Sequence, residues 1–154
     1  MKPGRTDPDD LRTSAFRVLG HPVPQSGMKP VSTAAGPRLV TTGGRDLENW
    51  RHSLAAEAAV ARVNGRRHLG PVALCVEFRY PMPGARTAAQ RRQDSIPKVT
   101  QPDLDKLLRA VCDGMTAGAL ILDDAQICEI HATKSEWGDS WTGCDIQIRD
   151  LWMP

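Results

Sequence analysis

Pro102 to Glu129 reads PDLDKLLRAVCDGMTAGALILDDAQICE, and the placement of its apolar and acidic residues decides how the chain folds around it. Leu104, Leu107, Leu108, Val111 and Met115 recur at three- and four-residue intervals, the spacing of one buried helical stripe. Asp103 stands where a helix cap belongs, and Gly114 to Gly118 supplies a stop. Beyond it, Gln126 to Glu136 predicts a strand with Cys128, Ile130 and Ala132 facing one way. With the elements read on either side, the order strand, helix, strand, helix, strand, strand indicates an α+β domain with a mixed sheet.

The acids of this segment come in pairs, Asp103 with Asp105 at the helix mouth and Asp123 with Asp124 before the strand. Four carboxylates brought together repel one another, so such a set makes chemical sense around a hard divalent cation. Magnesium prefers oxygen ligands and meets substrates through phosphate oxygens, which points to phosphoryl-transfer or phosphodiester chemistry. Each pair also has a structural explanation of its own. First-turn acids suit the helix dipole, and Asp-Asp is a common turn sequence. Arg109, four residues after Asp105, is by itself an i,i+4 partner worth about 0.3 to 0.5 kcal/mol. Whether Asp123 and Asp124 reach back to the helix start is open at the level of sequence.

Working outward, Pro71 to Tyr80 alternates cleanly, with Val72, Leu74, Val76, Phe78 and Tyr80 on one face of a strand. Asp46 to Asn64 predicts a second helix through Leu47, Trp50, Leu54, Ala58 and Ala61. Ser14 to Leu19 predicts a short strand and Cys144 to Arg149 a final one, expected to form a hairpin with the strand before it. Gln25 to Arg45 and Pro81 to Pro102 read as long loops rich in Pro, Gly and Thr. Residues 1–13 read as a flexible N-terminal arm, and 14–154 as one α+β domain. The expected architecture is a small mixed sheet of about four strands packed against two main helices.

A chain of 154 residues with 40% hydrophobic content suits one domain that buries roughly 70% of its unfolded surface. There is no apolar run near the roughly 20 residues that span a bilayer, so no membrane partner is expected and the chain reads as cytoplasmic. Cys75, Cys112, Cys128 and Cys144 fall inside predicted elements and read as reduced core residues. The net charge of +2 conceals an asymmetry: residues 1–102 hold 16 Lys/Arg against 8 Asp/Glu, and residues 103–154 hold 4 against 10. A basic front and an acidic back suit a polyanionic substrate gripped by one part and acted on by the other.

The segment 102–129 resembles, without a gap, the core of the RusA family of Holliday-junction resolvases, in which a D-L-D helix start is followed by a D-D-A-Q turn into a strand. The run GHPVPQ at Gly20 to Gln25 and the loop leading to Pro102 also resemble family members, particularly phage-encoded ones. The resemblance implies a homodimer that binds a branched DNA, the four-way junction, and cuts it with paired symmetric nicks. It makes Asp103, Asp105 and Asp124 the ligands of Mg²⁺, with Mn²⁺ as a substitute, and Asp123 a supporting acid. Two positions depart from the family pattern: Lys106 stands where an asparagine often follows the second aspartate, and Arg109 replaces a catalytic lysine. Arginine holds phosphate bidentately but does not readily release a proton, so Arg109 acts as a clamp or Lys106 shares its task.

Phosphate contacts are expected from Lys29, Arg38, Arg45, Arg86, Arg91, Arg92 and Lys98 in the two long loops. Trp137 and Trp141 flank a turn, where hairpin packing competes with stacking on an exposed base. The alternatives are a catalytically weak or inactive junction-binding protein of the same fold, a DxD-type phosphatase or sugar transferase, and a zinc site at Cys128, His131 and Cys144. The DxD motifs usually follow an apolar strand, whereas Asp103 follows a proline-bearing loop, and no C-x-x-C pair supports zinc.

Overall fold

The computed structural model describes residues 12–41, 43–138 and 141–152. In chain order these form β1 (Thr13–Leu19), β2 (Met28–Thr33), β3 (Gly36–Thr41), α1 (Gly44–Asn64), β4 (Val72–Pro81), α2 (Ala88–Arg91), β5 (Ser95–Pro97), α3 (Leu104–Ala117), a 3₁₀ turn (Asp124–Gln126), β6 (Ile127–Trp137) and β7 (Gly143–Asp150). The N-terminal arm lies outside the described residues as far as Leu11. Arg12 and Thr13 already belong to the sheet, since Thr13 opens β1 and the Arg12 carbonyl accepts from Asp150 N–H at 2.9 Å.

The mixed sheet has five strands in the order β1-β7-β4-β6-β5, and β2 pairs with β3 in a separate two-stranded ribbon. β4 and β6 run parallel, with α3 in the crossover between them, while the other pairs are antiparallel. The expected hairpin of the last two strands does not form. β4 lies between β6 and β7 and pairs with both. Its alternation gives it a full apolar face and two usable edges, whereas periodicity carries no information about which strand takes which edge.

Val72, Leu74, Val76, Phe78 and Tyr80 of β4 join Val18 of β1 and Cys144, Ile146 and Ile148 of β7 on the buried face. Leu47, Trp50, Leu54 and Ala58 of α1 meet Leu107, Ala110, Val111, Gly114 and Met115 of α3 above them. Two glycines set that helix contact. A Cβ on Gly114 would sit 2.5 Å from Leu54 Cβ, and one on Gly118 would sit 2.5 Å from the Ala55 carbonyl oxygen.

The loop expected over 81–102 is more ordered than its prolines suggest. Thr87 and Gln90 exchange side-chain bonds in a capping box that starts α2, and Ile96 is buried on β5. Fully buried Glu136 of β6 organises this segment: both carboxylate oxygens accept from Arg86, at 2.7 and 2.6 Å, and Lys98 approaches to 3.7 Å.

On the sheet face away from the helices, cations and indoles alternate. The Arg17 guanidinium lies 3.8 Å from the Trp141 ring centroid, and that of Arg79 lies 4.0 Å from Trp141 and 3.7 Å from Trp137. Trp137 and Trp141 are thus held in a stack that spans β1, β4 and the end of β6. The cysteines divide: Cys144 is buried, Cys112 half-buried, and Cys75 and Cys128 are exposed, so only part of the set is core. No helix among the described residues is long and apolar enough to cross a membrane.

Candidate active site

Asp103 sits at the cap position of α3 but makes no side-chain cap bond. Its carboxylate instead accepts from Lys106 Nζ at 2.9 Å, and this bond, with the lysine's charge, holds Asp103 below the usual carboxylate range. The same bond raises Lys106. The peptide leading into Asp103 is pinned from the sheet, because Lys134 Nζ donates to the carbonyls of Thr100 (2.8 Å) and Pro102 (2.6 Å). Asp105 and Arg109 follow on the exposed strip of the helix, one turn apart.

The D-D-A-Q turn divides its two acids by task. Asp123 Oδ1 accepts from Ala125 N–H at 2.7 Å and caps the 3₁₀ turn, while Gln126 Oε1 accepts from Leu122 N–H (2.6 Å) and Asp123 N–H (3.2 Å). Gln126 Nε2 reaches across to the carbonyls of His68 (3.1 Å) and Gly70 (2.8 Å), locking the turn to the start of β4. Asp124 is left exposed beside α3. There its charge, together with that of Asp113, adds to burial in pushing the Cys112 thiol up to about 11.

Cys112 lies seven residues, two helical turns or about 10 Å of rise, beyond Asp105 on the same strip. Asp103 and Asp105 thus lie at the N-terminal end of α3, and Asp124 opens the 3₁₀ turn that packs against the same helix. Among the described residues no three His, Cys, Asp or Glu side chains are grouped closely enough to hold an ion. The donor chemistry itself fits a hard divalent cation. Asp105 and Asp124 are exposed carboxylates with no hydrogen bond or ion pair among the described residues, and the bond to Lys106 holds the Asp103 carboxyl below its usual range.

The opposite flank of the strip is closed by the segment after β1. Gln25 N–H donates to the Lys106 carbonyl at 2.9 Å, the buried Gln25 side chain donates to Asp113, and Tyr80 O–H donates to the Pro22 carbonyl at 3.0 Å. Asp113 is also 3.9 Å from Arg51 of α1. Gln25, Gln126 and Lys134 brace this strip; the two glutamines stand in the runs GHPVPQ and D-D-A-Q, but an uncharged amide or a lone strand lysine gives no sign in the sequence of which carbonyl or carboxylate it will hold.

The expected phosphate-contacting cations part company. Lys29 and Arg38 are exposed on the β2–β3 ribbon, Arg45 at the start of α1, and Arg92 after α2. Arg86 is committed to Glu136, Lys98 donates to Thr100 Oγ1 at 2.8 Å and lies 3.7 Å from Glu136, and Arg91 donates to the carbonyls of Pro83, Gly84 and Arg86. For the zinc alternative, Cys144 points into the core, while His131 lies opposite Cys75 on the other sheet face.

Exposed carboxylates on a helix strip, flanked by Arg109 and Lys106, form the kind of surface on which a metal-assisted phosphodiester hydrolase works. The model of the family described as endodeoxyribonuclease RusA matches residues 20–149, most of the chain. The chain belongs to that family, and is accordingly a nuclease of the Holliday-junction resolvase class, a kind that acts on branched DNA and generally depends on a divalent metal. No curated protein matches it.

Proposed function

We propose that this protein resolves four-way DNA junctions as a homodimer during recombination and repair, with Asp103, Asp105 and Asp124 holding Mg²⁺. The observation that carries this reading is the division of labour in the D-D-A-Q turn, where Asp123 and Gln126 are consumed by structure while the exposed Asp124 carboxylate has no hydrogen bond or ion pair among the described residues. Bound there, Mg²⁺ or Mn²⁺ would supply an activated water and polarise the scissile phosphate. Arg109 presents a planar pair of donors to phosphate oxygens and keeps its proton, so it serves as an electrostatic clamp in place of the family lysine. Lys106 donates to the Asp103 carboxylate and offers a second positive charge at the same end of the helix. A junction has approximate two-fold symmetry, so a C2 dimer with one site per subunit cuts two opposed strands.

Exposed Lys29, Arg38, Arg45 and Arg92 contact phosphates, and affinity falls steeply with salt. The run from Gly20 to Gln25 fits a phage or prophage gene whose product works in the bacterial cytoplasm. A second reading, junction binding without turnover, is favoured by one observation, the arginine at position 109.

The test is incubation of purified protein with a labelled four-way junction and with linear duplex, with and without Mg²⁺, alongside Asp105→Asn. Paired nicks that need both metal and Asp105 are expected. Tight junction binding with no cleavage in Mg²⁺ or Mn²⁺ would establish the binding-only reading instead.

A further inference from the structure

The β2–β3 ribbon is built unlike the rest of the molecule. Among the described residues it pairs with no strand of the main sheet, and every residue of β2 is exposed. An isolated two-stranded hairpin is marginal in water, and one that keeps apolar side chains outside gains nothing from them in the free protein. Yet Met28 is 63% exposed, Leu39 68%, Val40 47% and Val31 44%.

Register sorts these side chains into two faces. Pro30 opposes Leu39 and Val31 opposes Arg38, so Met28, Pro30, Pro37 and Leu39 share one face. Lys29, Val31, Arg38 and Val40 share the other. Lys29 and Arg38 are the only charged residues between Met28 and Thr41, which makes the ribbon purely cationic. A cleft of about 450 Å³, walled by Arg38 and Leu39 of the ribbon and by Leu47, Glu48 and Arg51 of α1, lies between the two. Its root is fixed at the active site, because Gln25, three residues before β2, is bonded to Lys106 and Asp113 of α3.

We propose that the β2–β3 ribbon is a wedge for branched DNA: Lys29 and Arg38 hold backbone phosphates while Leu39 and Met28 insert against unstacked bases at the branch point. This rests on the junction-cutting reading and adds to it the element that tells a branch from a duplex. Charge complementarity selects the occupant, since a hairpin with two cations and no acid suits a polyanion. Apolar side chains at the branch replace stacking that the junction has already lost, so insertion costs less there than in continuous duplex.

The experiment uses a four-way junction with 2-aminopurine beside the branch and a matched linear duplex, both in EDTA so that binding is read without cleavage. Wild-type protein is expected to raise the junction's 2-aminopurine fluorescence and leave the duplex signal unchanged. Leu39→Ser and Met28→Ser are expected to lose that rise and to lower the preference for junction over duplex roughly tenfold, with duplex affinity unchanged. The Lys29→Ala/Arg38→Ala variant is expected to weaken both substrates and to reduce the salt slope by about 2.

The proposal is overturned if Leu39→Ser and Met28→Ser both keep the wild-type fluorescence rise and junction preference. It is equally overturned if Leu39→Ser instead turns a dimer into a monomer in sedimentation, which would make the ribbon a subunit contact. The junction-cutting reading is scored separately, by wild-type nicking in Mg²⁺, so the wedge can fail while that reading stands.

Discussion

At the residue scale, the interest centres on Arg109 and its neighbours. Arg109 lies one turn from Asp105 on an exposed strip and has no hydrogen bond or ion pair among the described residues, so its charge is free to meet a phosphate. Arg109→Gln should lower kcat on the junction by roughly 10²- to 10³-fold, the usual cost of removing a group that meets transition-state charge, with little change in thermal stability. Arg109→Lys should retain most of the turnover if charge alone is needed, and single-turnover rates of the two variants separate charge from the bidentate grip. Glu136 behaves differently because it is buried: Glu136→Gln would leave the Arg86 fork and Lys98 without their counter-charge. A loss of roughly 3 to 5 kcal/mol in a urea melt is expected, and activity should fall only as the folded fraction does.

At the scale of elements, what was legible and what was not follows from how each is stabilised. α3 and β4 could be read directly because their apolar period is their reason for existing, and the acids on the opposite side of α3 came with them. β2 and β3 could not: Pro30 and Pro37 look like breakers, yet a ribbon with free outer edges tolerates proline where no ladder donor is needed. The same holds for β5, three residues at the sheet edge that end in Pro97. Asp103 and Asp124 were legible as acids and Asp123-Asp124 as a turn sequence, but not that Lys106 takes the cap acid's carboxylate or that Asp123, not Asp124, caps the turn. Those depend on which donor happens to be nearest in three dimensions. The α1–α3 contact gives a sharp test. Gly114→Ala gains helix propensity but drives a Cβ into Leu54, so a net loss of about 1 to 3 kcal/mol is expected by thermal denaturation.

At the scale of the whole molecule, one buried network joins both ends of the chain to its middle. Ser14 Oγ meets His68 Nε2 at 2.8 Å, and His68 Nδ1 meets Asp150 at 2.6 Å, linking β1, the entry to β4 and β7. Burial lowers His68 from its ordinary value of 6.5, with the bond to Asp150 opposing, so the folded protein binds this proton less readily than the unfolded chain does. Stability from this site is therefore full above pH 6.5 and is lost as pH falls below it toward the folded-state value. Urea midpoints measured from pH 7.5 down to 5 should show that decline, and His68→Gln should flatten it at a lower overall stability. The charge asymmetry also finds its place at this scale: the ribbon and the start of α1 carry exposed cations, while the acids of α3 lie on the helix to which the ribbon's root is bonded.

The alternating stack of Arg17, Trp141, Arg79 and Trp137 has a practical consequence. It places two of the four tryptophans against guanidinium groups supplied by different strands, β1 and β4, so their emission depends on those strands keeping their spacing. The sheet thereby carries its own optical gauge on the side away from the helices. Fluorescence from Trp137 and Trp141 reports whether β1 has parted from its neighbours before the helical layer lets go.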